Sequence, residues 1–490
     1  MPGLMLIVAV ALLVWGAVLF FRGGLLGGCL VFMLAATCFG PNFFGLEVGP
    51  LRLSLDRILW PVVIFQYLVW HWRGWDDPKP VRAPDVVLIA LVGYLAARTF
   101  TADWRADGAS PAVHLVLSYV MPLGVYWAAR QSRPSQRAGA ALLACLALFG
   151  LYLAVTVAAE YFQAYWLVWP RYIVQTLGDK KLEFIGRGRG PLLNPMVTGI
   201  LLAACWSAAI LGLQRLGQLG RAALLPVSLL FAMAAWCTMT RTVWIGAGLS
   251  VAVVAGATLP RCWRLPVLGG ALLAAVLAAG THWEQVVAFK RDRDLTARET
   301  ANSVYVRPVL AVVAWHMFLD HPVFGCGFDQ YSRRHQDYLA DRSTPLVLEY
   351  ARGNLPHNVL LAVLAETGLV GLGLFLVLLA LWTQDAWRLW RDGANWSLAK
   401  CPQDSTRGSP LPKEEGRDLG CPVPMGSAPL WVRQPGLLFL ATLAAYLTNG
   451  AFHHVAFIPM SNTLLFFLAG VTAAWRSVAP DRQSPSPGPA

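Results

Sequence analysis

Charge is scarce in this chain. Only 13% of its 490 residues are Asp, Glu, Lys or Arg, while 57% are hydrophobic. That balance excludes a soluble globular protein of this length, and the apolar residues are spread too evenly for one anchored domain. Disulfide and metal patterns are also missing. Nine cysteines occur, but none forms a C-x-x-C. Cys29, Cys38, Cys145, Cys205 and Cys237 lie within apolar runs, and Cys401 and Cys421 stand apart, which excludes a disulfide framework and a structural zinc site. There is no G-x-S-x-G, P-loop, H-E-x-x-H or dinucleotide fingerprint. The first run, Leu4 to Phe21, lacks a basic leader and an A-x-A exit, so it reads as a retained helix. No internal repeat is visible.

Long apolar runs are abundant. They recur at the roughly 18–20 residues a helix needs to cross a bilayer, over 4–21, 24–40, 57–72, 84–100, 112–129, 139–158, 194–213, 222–239, 243–259, 265–281, 357–383, 435–450 and 456–475. The expected fold is therefore an all-α polytopic membrane protein with about 12–13 transmembrane helices and one large extracytoplasmic loop containing an amphipathic helix. Residues 1–281 form the N-terminal helices and 282–356 the large loop. Residues 357–475 form the C-terminal helices, interrupted by a Pro-, Gly- and Ser-rich cytoplasmic insert at 384–434. Residues 476–490 form a disordered tail.

The net charge of +12 is a topology signal. Arg130, Arg133 and Arg137 share a short loop without an acid, as do Arg215 and Arg221, and Arg261 and Arg264. These alternate loops should be cytoplasmic. The basic residues do not gather on one face, so no nucleic-acid partner is expected. The opposite loops are then extracytoplasmic. One of them, 159–193, carries Arg171, Lys180, Lys181, Arg187 and Arg189 against Glu160, Asp179 and Glu183. A net-basic loop on the side that disfavours positive charge calls for another reason, and an anionic ligand supplies one.

Three residues stand out as carriers of chemistry. Arg241 lies between two apolar runs at a turn a few residues long. It is either functional or a snorkelling helix-end arginine, and its expected external position favours the first. Arg307 precedes Pro308, and Val309, Leu310, Val313, Met317 and Phe318 follow at helical spacing. That pattern predicts an amphipathic helix on the membrane surface with Arg307 in its first turn, at the positive end of the dipole; a solvated arginine is the alternative. His357 lies between Pro356 and Asn358 at the start of an apolar helix. A neutral imidazole there could take a proton from a sugar hydroxyl, or simply bond the backbone at a helix end. Glu366, further along that helix, is a buried acid that needs a partner. Asp292-Arg293-Asp294 is a weak divalent-ion pattern. His453-His454 faces the same cavity or marks an interfacial helix end. The Gly368 to Gly373 spacing suggests close helix packing.

Taken together, TMTRTVWIGAG, RPVLAVVAWHMFLDHPVFGCGFDQY and PHNVLLAVLAETGLVGLGLF resemble the O-antigen ligase and polymerase superfamily of bacterial envelope polysaccharide enzymes. The upstream GRGRGPLLNPMVTGILLA is similar to that family's segment before a mid-chain helix. The resemblance covers roughly residues 180–383. It implies cofactor-free, metal-independent glycosyl transfer on the outer face of the bacterial inner membrane. The implied donor is a glycan on undecaprenyl diphosphate, and the acceptor a lipid or another glycan, as in lipopolysaccharide assembly. By the same resemblance Arg241 and Arg307 grip the diphosphate and His357 is the base. Arg187 and Arg189 are candidates for the approach of glycan or phosphate. A polymerase would use the same residues. A transporter or flippase for lipid-linked glycans would instead place its charges at mid-membrane, with inverted repeats. Convergence of Arg241, Arg307 and His357 on one cavity separates an enzyme from these and from a structural scaffold.

Overall fold

The computed structural model describes residues 14, 16–48, 51–75, 78–105, 110–178, 184, 186–260, 262–266, 268–270, 273, 277, 297–392 and 430–477. The chain is an all-α polytopic membrane protein. Its helices are α1 (Gly24–Cys38), α2 (Leu55–Trp72), α3 (Ala83–Phe100), α4 (Pro111–Arg130), α5 (Gln136–Tyr161), α6 (Pro195–Leu213), α7 (Gly217–Cys237), α8 (Arg241–Thr258), α9 (Ala297–Asp320), α10 (Val359–Asp392), α11 (Leu430–Gly450) and α12 (Pro459–Arg476). A short antiparallel hairpin, β1 (Leu46–Val48) and β2 (Leu51–Leu53), joins α1 to α2. All of these except α9 fall on apolar runs expected to span the membrane. Most of the run 4–21, most of 265–281, Asp292–Asp294 and the middle of the insert lie outside the described residues. Six stretches among the described residues are long and apolar enough to cross a bilayer by length and composition. One of them, 195–237, is α6 and α7 joined by the turn Gln214–Leu216.

Local signals set the helix starts. Asn194 accepts the N–H groups of Met196 and Val197 at 3.0 and 3.2 Å, ahead of Pro195 at the first position of α6. Ser135 caps α5 through the Ala138 N–H. α6 is apolar around its whole circumference and buried along nearly its whole length, the property of a central helix. It packs on α5, α8 and α11, while α12 packs on α4. A Cβ at Gly199 would stand 2.3 Å from the Val243 side chain, so α6 and α8 meet backbone to side chain near the start of α8.

The turns alternate between two ends of the bundle. The α4–α5 and α6–α7 turns share one end, the basic one. The starts of α8 and α10, the end of α11 and the 451–458 turn share the other. Arg130, counted above with the topogenic charges, is in fact buried. It pairs with Asp85 of α3 at 2.8 Å.

Two expectations change in the large loop. α9 is 24 residues long, and Arg307 is well inside it rather than in the first turn. Pro308 mimics the helix-opening proline that the pattern predicts, but it sits in the interior of the helix. The apolar stripe of α9 does not lie on lipid. Val309, Leu310, Val313 and Met317 are buried against Tyr331, Leu339, Leu348 and Ala365 of the loop and α10. α10 itself starts two residues after His357 and runs to Asp392, into the stretch assigned to the insert.

Candidate functional site

The site is built on a tight turn. α7 ends at Cys237, Met239 takes a left-handed backbone conformation with φ of 50°, and Arg241 is the first residue of α8. The Gly188 N–H donates to the Cys237 carbonyl at 2.9 Å, which lays the 186–190 segment against this turn. Arg187 is thereby carried to the same place, with its guanidinium 5.1 Å from the centre of the Phe184 ring.

α9 delivers Arg307. With its apolar stripe fixed on the loop and α10, the helix holds the Arg307 guanidinium 5.9 Å from the centre of the Phe452 ring, a cation–π distance. The Arg307 pKa is drawn below the usual arginine value, first by burial and then by the charge of Arg241. The two guanidinium groups therefore feel each other, and an anion between them would relieve both penalties.

His357 is half-buried just before α10. Its neighbour Asn358 caps that helix by accepting the Leu361 N–H at 3.0 Å. The Asn358 amide donates to the Ala451 carbonyl at 3.1 Å, tying the helix start to the 451–458 turn. Across that turn the His453 ring stands 6.1 Å from the His357 ring at an angle of 83°.

These elements enclose one cavity of about 610 Å³, lined among others by Arg187, Arg241, Arg307, His357, Phe452 and His453. A second hollow of about 260 Å³ shares Arg307, His357 and Phe452 with it, but otherwise presents Pro308, Leu310 and Leu361. Arg307 and His357 thus stand on the border between a charged chamber and an apolar one. Three guanidinium groups facing one space suit a multiply charged anion, and the imidazole beside them can accept a proton.

The two motif stretches around the site hold each other. α10 breaks at Gly368, where φ is 65° and ψ −166°. The loop 321–329 fills the break. Leu369 and Val370 donate to the carbonyls of Pro322 and Val323, while Cys326 and Gly327 donate to those of Ala365 and Glu366, all at 2.9–3.2 Å. The Glu366 carboxylate accepts the N–H groups of Asp329 and Tyr331 at 2.7 and 3.2 Å. Tyr94 of α3 donates to the Thr367 carbonyl at 2.7 Å, and Arg98 to that of Gly325 at 2.9 Å. Glu366 is therefore a structural clasp. The Gly368 to Gly373 spacing, read above as helix packing, marks a helix break at its first glycine.

The remaining candidates separate. Arg189 does not line the cavity. It is fully buried, with Nε 2.8 Å from a Glu160 oxygen, and the same carboxylate accepts the backbone N–H groups of Arg189 and Gly190 at 2.7 and 2.8 Å. Of the two adjacent histidines, His453 faces the cavity. His454 stacks on Phe457, and burial above all, with His357 and His114 nearby, lowers its pKa to about 3. Phe452 was not foreseen; an aromatic residue directly before the two histidines was its only trace in the sequence.

Residues 226–376 match the family model described as O-antigen ligase. The span runs from α7 into α10 and takes in Arg241, Arg307 and His357, and it covers under a third of the chain. None of the curated proteins compared with the chain matches it.

Proposed function

From this O-antigen-ligase-like chain, we propose a membrane glycosyltransferase of the bacterial inner membrane. It moves a glycan from undecaprenyl diphosphate to a lipid or glycan acceptor on the extracytoplasmic face. The observation that carries this reading is the meeting of Arg241, Arg307 and His357 at a single cavity. An acceptor hydroxyl attacks the anomeric carbon of the donor sugar, and the bond from that carbon to the diphosphate oxygen breaks. The hydroxyl proton passes to His357. The negative charge gathering on the departing lipid diphosphate is met by Arg241 and Arg307, with Arg187 at the same chamber. The family resemblance implies a metal-independent reaction, and fixed cations placed to stabilise this charge are consistent with it. A polymerase, whose acceptor is a second lipid-linked repeat, would use the same side chains.

The test is transfer by the purified protein in detergent, with undecaprenyl-diphosphate glycan, a panel of acceptors and EDTA. Product from the wild type that survives EDTA and is lost in His357→Ala and Arg307→Ala is the expected result, and the acceptor that reacts identifies the subclass. Movement of lipid-linked glycan across vesicles, without transfer to any acceptor, would replace this reading with a transporter.

A further inference from the structure

The turn after α11 carries a second imidazole into the charged chamber. His453 is 9% exposed and lines the same cavity as the half-buried His357. Two ties hold this turn against the elements that bear the site. Asn449, at the end of α11, accepts the hydroxyl of Thr242 at 2.9 Å, one residue after Arg241. Ala451 accepts the side-chain amide of Asn358, one residue after His357. The turn is also closed on itself, because the Val455 N–H donates to the His453 carbonyl at 2.9 Å. His453 is thus fixed with its ring nearly perpendicular to that of His357 and the ring centres 6.1 Å apart. That is a span one hydrogen bond, direct or through one water, can bridge.

A histidine base works through one ring nitrogen, and the hydrogen bond made by the other decides which nitrogen keeps the lone pair and how the ring is turned. We propose that His453 is a positioning residue for His357. It accepts a hydrogen bond from the ring N–H of His357 and leaves the other His357 nitrogen unprotonated for the acceptor hydroxyl. When the hydroxyl proton moves to that nitrogen, the imidazolium keeps its first N–H on His453, which stays neutral. The other charged or titrating groups around His357 are Arg187 of the 186–190 segment, Arg241 of α8, Arg307 of α9 and His454 of the same turn. Guanidinium groups only donate, and His454 is stacked on Phe457, so His453 is the acceptor among them. The pairing of the two rings rests on geometry; its part in catalysis rests on the proposed transfer reaction.

The experiment compares His453→Phe, which keeps a ring but cannot accept the bond, with His453→Gln, whose amide oxygen can. The full-length protein in detergent is used throughout. One readout is the pH dependence of His357 carbethoxylation by diethyl pyrocarbonate, followed by peptide mass spectrometry without substrate. The other is kcat and KM for transfer from undecaprenyl-diphosphate glycan. In His453→Phe the midpoint of His357 reactivity should move to lower pH by about half a unit or more, because a bond that favours the imidazolium is lost. Its kcat should fall about tenfold or more, with KM for the donor little changed. His453→Gln should stay close to the wild type in both readouts. Thermal unfolding checks that the variants are folded; if His453→Phe is not, His453→Leu carries the same comparison. A His453→Phe protein that behaves like the wild type beside an impaired His453→Gln would make the ring a packing element and overturn the assignment. So would an equal loss of activity in both variants with an unmoved midpoint. A shifted midpoint in a protein that transfers glycan to no acceptor would leave the pairing standing and remove the transfer reading instead.

Discussion

The Glu366 carboxylate accepts the Asp329 backbone N–H at 2.7 Å across 37 residues of sequence. With the Tyr331 N–H as its second donor, an acid inside an apolar helix finds its partners in main chain rather than in a cation. The contact locks the loop 321–329 into the break of α10. The first half of α10, which begins beside His357, is held by that loop as well as by its own cap. The clasp also reaches α4, because the Asp329 carboxylate lies 2.5 Å from Nδ1 of His114.

Breaking the clasp should therefore cost both stability and activity. Glu366→Ala strands two backbone N–H groups, at about 1–3 kcal/mol for each buried donor left unmade. Gly325→Ala puts a Cβ 2.3 Å from the Glu366 carbonyl at a φ of 71°, where a side chain is strained even in open space. Both variants should unfold at lower denaturant or temperature in detergent and transfer less glycan. Unfolding within about 0.5 kcal/mol of the wild type would show that the loop is held elsewhere.

Arg241 and Arg307 should show the opposite balance. Arg241 adds to the cost that burial already sets on the Arg307 charge, so neutralising Arg307 should relieve the fold and, on the proposed function, disable the site at the same time. Arg307→Gln is expected to keep or raise Tm, by on the order of 1 °C, and to abolish transfer. Pyrophosphate should raise the Tm of the wild type more than that of the variant. A clear fall in Tm on neutralising Arg307 would mean that its contact with Phe452 outweighs the repulsion.

The membrane helices were legible because hydrocarbon solvation leaves a continuous apolar signal over each span. The three central site residues were legible because each carries charge or a titrating ring where the pattern is otherwise apolar. What stayed hidden was set by distant partners. Pro308 resembles a helix opener, and only the 297–307 turns ahead of it show that Arg307 is interior. Glu366 gave no hint of its partner because backbone N–H groups have no sequence signature. Arg130 looked like a topogenic charge until Asp85, 45 residues upstream, was found against it.

His454 supplies a dependence on acid. Its pKa is about 3 in the fold against about 6.5 in an unfolded chain. The unfolded state therefore binds a proton first as pH falls. The stability due to the neutral ring is complete above about 6.5 and drains away down to about pH 3, at up to about 1.4 kcal/mol per pH unit. His454→Phe, which keeps a ring on Phe457, should flatten the fall of Tm between pH 6.5 and 4. A slope identical to the wild type would assign the acid sensitivity to other groups.

Arg187 and Arg189 are two residues apart, and their variants should fail in different ways. Arg187 lines the charged chamber. On the proposed function, its removal should take away one charged contact with the donor and leave the fold intact. Arg187→Ala should fold normally and raise KM for the lipid-diphosphate donor about tenfold, the equivalent of about 1.4 kcal/mol. Arg189 is sealed against Glu160. Arg189→Ala leaves a buried carboxylate with only backbone donors, and losing one member of such a pair costs about 3–5 kcal/mol. That variant should be poorly expressed or unfold early. Because the loss comes from the charge left behind, Arg189→Met with Glu160→Gln should recover much of the stability and, with it, transfer activity. If the double variant folds like the wild type yet cannot transfer glycan, Arg189 would have to be moved from the scaffold to the reaction.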